Sequence, residues 1–559
     1  MNIRKLFFAW GITVVTGILT LPVYADLVIA DNGSSDFVIE IDPRASAPEQ
    51  NAARELQTFL QAISGVELPI VSSLPEGKHA IVVGRGERAR QLLGNAVDLD
   101  ALKDDTTVIY ECGNDLVLSG DAPRGTLYAV YSFLEDWLGV RFWTSTETDI
   151  PEQTRIQIPT IQEVYTPPFF NRETFYKPFL DDPLFSVRRK VNGHWEEIPE
   201  EWGGHLDLFG WCHTGNLYLP PEKYFQDHPE WYCMREGKRQ IGQPCLTNRE
   251  MRAEYIRNVF NALQENPGQR VLDISQNDNY LFCQCPECEA FVREHGNQTD
   301  LLLDFVNEVA TEVGKTYPDL TVMTLAYQYT RQLPETVRPV DNVCIRLCSI
   351  ECDFGYPLRS ERNADMAEEF RQWSAIAGQL AVWNYLTNFP NYMLPHPNIE
   401  SLADDIRFFR ENHAVSVFNQ GDVGTGYAGD YIALRGYIVS KLLWNPDLDE
   451  NVLFQEFLDG YYGNAAPFIK EYWDLILKEF HAAGTPLRCG TGDAPWLSPQ
   501  TIVTAREIMD KAENAVAEND TLLQRVRTAR LTIDFALLNL FRVNAPDTAF
   551  ALFPNMTLK

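Results

Sequence analysis

Short apolar runs alternate with amphipathic helical patterns along the middle of the chain. Seven of these runs contain four to six residues, which is the length of buried strands. The segments between them place apolar residues about four positions apart, as in residues 248–265. Such alternation over about 250 residues predicts a TIM-like (β/α)8 barrel, and the alternative is an open, doubly wound parallel sheet. The candidate strands are Phe170–Phe175, Leu206–Trp211, Val271–Ser275, Thr321–Ala326, Val343–Leu347, Leu380–Trp383 and Val415–Phe418.

The pattern changes on both sides of this region. Residues 26–160 predict a smaller α/β domain, which includes a helix at Pro48–Ile63 and a hairpin whose turn is Cys112–Asp115. After the barrel region the strand pattern stops, and five helical segments follow. We therefore expect an α/β accessory domain over residues 26–160, a barrel over 161–430 and a helical domain over 431–559.

The first 25 residues have the pattern of a secretory signal peptide. Basic residues precede an apolar run at Leu6–Leu21, and the run is followed by the small-residue pattern Val23–Ala25. We expect cleavage after Ala25, which would leave a secreted or periplasmic protein with no membrane span. An uncleaved membrane anchor is the alternative, although the apolar run is a little short to cross a bilayer.

Charge and composition limit the classes of partner. The formal net charge is −31, from 78 acidic and 47 basic residues, and no basic cluster offsets it. Such a surface repels phosphate backbones, so nucleic acid is not an expected partner. Apolar residues make up 45% of the chain, which is enough for packed cores.

Eleven cysteines in an exported chain make disulfide bonds possible. Cys283, Cys285 and Cys288 lie close together directly after Asp278. A disulfide that fixes this loop is favoured over a zinc site, which would need a fourth ligand such as Cys245 or His213. In either case the role expected of the cysteines is structural, and neither a catalytic metal nor a cofactor is expected.

Polar and aromatic side chains follow the candidate strands at their C-terminal ends. In a βα-barrel the active site lies there, so Asp278 and Glu351 are the candidate catalytic residues. Carboxylates interleaved with tryptophan and tyrosine are typical of a sugar site, because pyranose rings stack on aromatic faces and glycosidic cleavage needs a proton donor. The alternatives are an ordinary Asx turn around Asp278 and core roles for the aromatic residues. The candidate substrate-binding residues are Asn277, Trp211, His213, Tyr327, Trp383, Tyr385, Gln420 and Asp422, and Glu173 occupies a similar strand end.

Several stretches resemble bacterial proteins that carry the domain of unknown function DUF4838. They are Leu325–Tyr329, Arg346–Cys352, Asn277–Asp278 with the cysteines behind it, Trp383–Tyr385 and Lys441–Pro446. Part of that group is classed as glycoside hydrolase family 163, which are endo-acting β-N-acetylglucosaminidases that release complex N-glycans. The stretches Arg124–Tyr131 and Leu138–Trp143 look like the accessory domain that precedes the barrel in family 67 α-glucuronidases and family 20 hexosaminidases.

The resemblance implies hydrolysis of a β-linked N-acetylhexosaminide in a complex glycan. We expect a substrate-assisted route in which Asp278 orients the acetamido group and Glu351 protonates the leaving oxygen, or the reverse. One departure concerns the late barrel, where Phe418–Gly421 reads Phe-Asn-Gln-Gly instead of Phe-Glu-Gln-Gly. Any role of a carboxylate at that point is therefore absent or has passed to Asp422.

Two other functions remain open from the sequence. An α-glucuronidase-like exo-hydrolase would need positive charge near the sugar carboxylate, which Arg172 or Arg346 would supply. A non-catalytic glycan-binding protein would retain the aromatic residues without a working acid. The substrate in all three cases is a carbohydrate.

Overall fold

The computed structural model describes residues 26–543. The predicted signal peptide lies outside the described residues. Within the described part of the chain, no helix is both long enough and apolar enough to cross a bilayer.

The N-terminal domain is built on a six-stranded sheet covered by helices. Strand order in the sheet is β10-β5-β6-β4-β2-β3, and the predicted hairpin is confirmed as the antiparallel pair β5 and β6. The first helix, α1, begins with a capping box between Ser46 and Glu49 and ends at Gly65, whose φ of 73° suits glycine. The elements are β1 Leu27–Asp31, β2 Phe37–Ile41, α1 Ala47–Ser64, β3 Ile70–Val71, β4 His79–Val83, α2 Glu87–Leu93, β5 Thr107–Cys112, β6 Asp115–Gly120, α3 Gly125–Ser132, β7 Arg141–Phe142, β8 Thr148–Asp149, β9 Arg155–Ile158 and β10 Gln162–Tyr165.

A curled sheet of seven parallel strands follows, in the order β11-β19-β18-β17-β16-β15-β12. Each strand overlaps one of the seven predicted runs, so the prediction of a TIM-like α/β fold is confirmed. An antiparallel hairpin, β13 and β14, interrupts the alternation after β12. The strands are β11 Asn171–Glu173, β12 Leu208–Phe209, β13 Tyr232–Arg235, β14 Lys238–Pro244, β15 Val271–Asp273, β16 Thr321–Ala326, β17 Val343–Cys348, β18 Gln379–Tyr385 and β19 Ala414–Gln420.

The eighth position of the barrel is filled by a single residue, Asn192. Its backbone N–H donates to the carbonyl of Arg172 in β11 (3.1 Å), and its own carbonyl accepts from the N–H of Leu206 (2.9 Å), just before β12. Asn192 therefore bridges the two edges of the seven-stranded sheet. A single residue such as Asn192 cannot form an apolar run. The hydrophobic pattern of the sequence therefore predicts seven strands and not eight.

Helices surround the barrel and form the C-terminal region. Those of the barrel are α4 Lys177–Asp181, α5 Pro183–Arg188, α6 Gly215–Tyr218, α7 Pro221–Tyr224, α8 Arg249–Glu265, α9 Pro286–His295, α10 Gln298–Gly314, α11 Ala364–Ile376 and α12 Ile399–Glu411. The C-terminal ones are α13 Ile432–Trp444, α14 Glu450–Phe457, α15 Ala466–Ala483, α16 Pro499–Ala515 and α17 Asp520–Val543.

A buried carboxylate joins the N-terminal domain to the barrel. Asp105 pairs with Arg172 of β11 (2.7 Å) and with Arg124 (2.9 Å), and it accepts a hydrogen bond from Asn192 (3.0 Å). Arg172 is fully buried and also donates to the carbonyls of Phe169 and Lys190. The suggestion that Arg172 would hold a sugar carboxylate is therefore wrong, because its guanidinium is used in the domain interface.

Candidate functional site

A group of aromatic side chains lines the mouth of the barrel at the C-terminal ends of the strands. The ring centroids of Trp211 and Trp383 are 4.7 Å apart, and Phe418 lies 5.2 and 5.1 Å from them. Trp195 packs 5.4 Å from Trp211, and 39% of its surface is exposed. These rings form a continuous apolar wall with one exposed face. Trp195 lies in the short 3-10 helix His194–Glu196, outside the apolar runs, so no periodic pattern marks it.

An arginine lies beneath this wall inside the barrel. Arg346 is 3% exposed, its Nη1 donates to the carbonyl of Trp211 (2.7 Å), and its Cζ lies 5.7 and 5.9 Å from the ring centroids of Trp211 and Trp383. The positive charge of Arg346 is thus stabilised by the carbonyl of Trp211 and by two aromatic rings. Arg346 supports the tryptophans from below and does not face solvent.

The loops at the mouth contain strained backbone. Trp211 (φ 54°), His213 (φ 55°) and Gln328 (φ 53°) adopt the left-handed conformation that favours glycine. Such strain is often found at functional sites, where surrounding contacts hold it in place. For His213 those contacts are its backbone N–H, which donates to the Ser275 hydroxyl (2.7 Å), and its Nδ1, 2.8 Å from the Gln276 carbonyl.

Asp278 is exposed at the mouth, after the end of β15. Its Oδ1 accepts a hydrogen bond from Gln328 Nε2 at 3.2 Å. Burial, and next the charge of Asp278, raises the pKa of the neighbouring Tyr327 phenol to about 12. The phenol therefore stays protonated at physiological pH and can donate a hydrogen bond. His213 lies 6.0 Å from Tyr327, ring centroid to ring centroid.

Glu351 is exposed after the end of β17, on the same rim as Asp278. It pairs with Arg331 at 2.6 Å, and 47% of its side chain is accessible. Burial raises the pKa of Tyr385 well above its usual range. Tyr327 follows β16, which lies between the strands that precede Asp278 and Glu351.

The remaining predicted residues divide into two groups. Gln420 accepts a hydrogen bond from Trp383 Nε1 (2.8 Å) and so helps to orient the aromatic wall. The side-chain amide of Asn277 accepts a hydrogen bond from the backbone N–H of Asn216 and donates one to the carbonyl of Gly242. The Asp422 carboxylate accepts from the backbone N–H groups of Gly424 (2.8 Å) and Thr425 (3.0 Å), which makes it the cap of a turn. Asn277 and Asp422 therefore shape the loops, with their polar side-chain groups turned to protein.

Glu173, Glu196 and Asp273 are buried carboxyl groups of the barrel, and none of these three is among the predicted site residues. Glu173 and Glu196 pack against Gly193, where a side chain would have no space. Burial raises the pKa of Glu173 to about 7, although Arg346 opposes the shift, and burial with the charge of Glu173 raises that of Glu196 well above its usual range. Burial also raises the pKa of Asp273 to about 7. The sequence pattern places Glu173 at a strand end, but no periodic pattern marks its neighbour Glu196 in the 3-10 helix His194–Glu196.

Because the pKa values of these carboxyl groups are raised, we expect the free energy of unfolding to fall as the pH rises from about 5 to 8. A carboxyl group with a raised folded-state pKa binds its proton more tightly in the folded protein than in the unfolded chain. Its contribution to the stability of the folded state is therefore complete below about pH 4, and it is lost as the pH rises through the folded-state pKa. The Glu173 and Glu196 pair is expected to contribute about 1–3 kcal/mol to this loss of stability, since one pKa unit is about 1.4 kcal/mol. Urea unfolding at pH 5 and 8 measures the difference.

The matched variants are Glu196→Gln and Glu312→Gln. The first removes one buried ionisable group and should reduce the pH dependence, whereas the second changes an exposed helix residue and should leave it intact. An equal loss of stability from pH 5 to 8 in wild type and Glu196→Gln would contradict the assignment of the proton to this pair.

The cysteines correct one expectation. Each of the eleven, all within the described residues, is a free thiol, so the favoured disulfide among Cys283, Cys285 and Cys288 is wrong for this structure. The Sγ atoms of Cys245 and Cys285 lie 3.6 Å apart, compared with about 2.05 Å in a disulfide bond.

Two sequence families match parts of the chain. The family described as a domain of unknown function, DUF4838, matches residues 142–474. The N-terminus of glycosyl hydrolase family 67 matches residues 31–133, which lie in the N-terminal domain. Among curated proteins, no sequence matches.

Solved structures with a similar fold include a family GH115 4-O-methyl-α-glucuronidase with specificity for decorated arabinogalactans. The TM-score is 0.57 at 11% identity, over 95% of this chain and 76% of that one. The protein CpGH84D overlaps with a TM-score of 0.50 at 11% identity, over 96% of this chain and 92% of that one. A β-N-acetylhexosaminidase from Bacteroides fragilis NCTC 9343 gives 0.44 at 11% identity, over 80% and 93%, which is too loose to support an argument. The first two overlaps show a common fold.

Proposed function

The chain belongs to the DUF4838 family, and on that premise we propose that it is a glycoside hydrolase that cleaves a β-linked N-acetylhexosaminide in complex glycans. The proposal rests chiefly on one observation. Two exposed carboxylates, Asp278 and Glu351, follow the C-terminal ends of parallel strands on the rim where an aromatic wall is exposed through Trp195. Apolar sugar faces stack on such a wall, and paired carboxyl groups catalyse glycosidic cleavage.

Substrate-assisted cleavage assigns a different task to each carboxylate. Asp278 orients the acetamido group, whose carbonyl oxygen forms a bond to the anomeric carbon. The glycosidic C–O bond breaks with its electron pair on the leaving oxygen, and Glu351 supplies the proton to that oxygen. Water then forms a bond to the anomeric carbon, the bond from that carbon to the acetamido oxygen breaks, and Glu351 takes up the proton that the water loses. The protonated phenol of Tyr327, beside Asp278, can donate a hydrogen bond to the same substrate group.

The arginines already have partners within the protein, which argues against a substrate whose sugar carries a carboxylate. Arg172 is committed to Asp105 in the domain interface, and Arg346 is covered by two tryptophans. Arg331 at the rim already pairs with Glu351 and Glu369. These three guanidinium groups would each have to leave a partner before they could bind a uronate.

Mass spectrometry of released glycans tests the proposal. The purified protein is incubated separately with an N-glycoprotein, β-N-acetylhexosaminide oligosaccharides and uronic-acid oligosaccharides, with an empty-vector preparation as the control for contaminating activity. We expect cleavage next to an N-acetylhexosamine residue. Release of uronic acid would replace the proposal with the glucuronidase-like function, and saturable binding without any product would replace it with a glycan-binding function.

A further inference from the structure

Four buried cysteines meet behind the loop that carries Asp278. Cys245 follows β14, while Cys283, Cys285 and Cys288 lie on the segment that leads from β15 into α9. Their four Sγ atoms all lie within 4.8 Å of one another. Cys245 is at the centre of the measured contacts, with 3.6 Å to both Cys283 and Cys285 and 3.9 Å to Cys288.

These separations have the size expected around a tetrahedral metal ion. Zinc binds thiolate sulfur at about 2.3 Å, so two sulfurs of a tetrahedral four-cysteine site are about 3.8 Å apart. A disulfide would bring one pair to about 2.05 Å and would separate the others. From this geometry we propose that Cys245, Cys283, Cys285 and Cys288 bind a structural zinc ion.

Nearby groups are suited to stabilise thiolate sulfurs. The backbone N–H of Met234 donates to Cys283 Sγ (3.3 Å), and Arg239 Nη1 lies 3.7 Å from the same sulfur. The Thr247 hydroxyl lies 3.1 Å from Cys288 Sγ. Four thiolates around Zn²⁺ carry a net charge of −2, which the adjacent guanidinium partly offsets. Donors around the ligands are a usual feature of metal sites.

The ion is structural because all four coordination positions are taken by sulfur. It joins the hairpin of β13 and β14 to the loop from β15 to α9. Gln243, two residues before Cys245, accepts from the Asn277 N–H (2.9 Å) and donates to the carbonyls of Asn277 (2.7 Å) and Asn279 (3.1 Å). The two neighbours of Asp278 are thus tied to the strand that ends at the metal. The metal site itself does not depend on the proposed function.

Metal analysis of the full chain tests the site. The protein is purified without a metal-affinity column or chelator, and its metals are measured by inductively coupled plasma mass spectrometry. We expect about one zinc per chain in the wild type, at least a tenfold lower content in Cys285→Ser and Cys288→Ser, and unchanged content in Cys233→Ser. Cys233 is a buried cysteine on β13 whose sulfur is outside the group of four, so it is a matched control.

A second measurement on the wild type keeps the test decisive if the ligand variants do not fold. Thiols are counted in denaturant with chelator and without reductant, and all eleven cysteines should react. Seven reactive thiols would mean two disulfides and would overturn the proposal. Stoichiometric iron in place of zinc would also overturn it, as would a protein with every thiol free that binds no zinc when the ion is added.

Discussion

Glu351→Gln should lose about 10²–10⁴-fold of its activity on a natural β-linked N-acetylhexosaminide and much less on a substrate with an activated phenolate leaving group. General acid catalysis usually contributes a factor of this size, and a good leaving group needs little protonation. Asp278→Asn should be impaired on both substrates, because attack by the acetamido oxygen is lost whatever the leaving group. The measurement is kcat/KM for each variant on each substrate.

Glu369→Gln is the matched control for Glu351→Gln. Glu369 pairs with the same arginine, Arg331, at 2.9 Å, so its loss disturbs that guanidinium without removing the proposed acid. Its kcat/KM should stay close to that of the wild type. If Asp278→Asn is the variant spared on the activated substrate, the two roles are reversed. Equal losses on both substrates in both variants would assign neither role, and unchanged kinetics in either one would remove that residue from the site.

The positions of the barrel strands could be predicted because most of their residues are buried on both faces of the sheet. Strands such as β16 and β17 therefore read as nearly continuous apolar runs, and the carboxyl ends of parallel strands meet on one rim. By that argument Asp278 and Glu351, which follow β15 and β17, lie on the same rim. It missed Asn192, which acts as a strand through two backbone hydrogen bonds and has no side-chain pattern to reveal this.

The finer arrangement of the site depends on contacts between residues far apart in the sequence. Nothing near Trp211 shows that Arg346 lies beneath it, and nothing near Glu173 shows that Glu196 is its neighbour. The fourth cysteine illustrates the same limit. The sequence offered Cys245 and His213 as alternatives, and the fold brings Cys245 to the other sulfurs while His213 contacts Gln276.

The largest loss of stability is expected from Glu135, which follows α3 in the N-terminal domain. Its Oε1 contacts Arg189 (3.1 Å) and Lys441 (3.0 Å), and its Oε2 contacts Lys190 (2.7 Å), with the carboxylate 1% exposed. Burial alone would raise the pKa of Glu135, but the three cations together hold it far below its usual range. This one carboxylate therefore pairs with cations from the barrel and from α13.

Glu135→Gln should lower the free energy of unfolding by about 3–5 kcal/mol, because removing one partner of a buried ion group leaves the others without compensation. The control Glu312→Gln removes an exposed pair with Lys315 and should cost at most about 1 kcal/mol. Adding Lys441→Met to Glu135→Gln removes one uncompensated cation and should recover part of the loss, which a double-mutant cycle from urea unfolding measures. Lys441→Met alone should lower the free energy of unfolding less than Glu135→Gln does, since Glu135 keeps two cationic partners. The opposite order would show that packing of the lysine stem, and not the charge of Glu135, stabilises this interface.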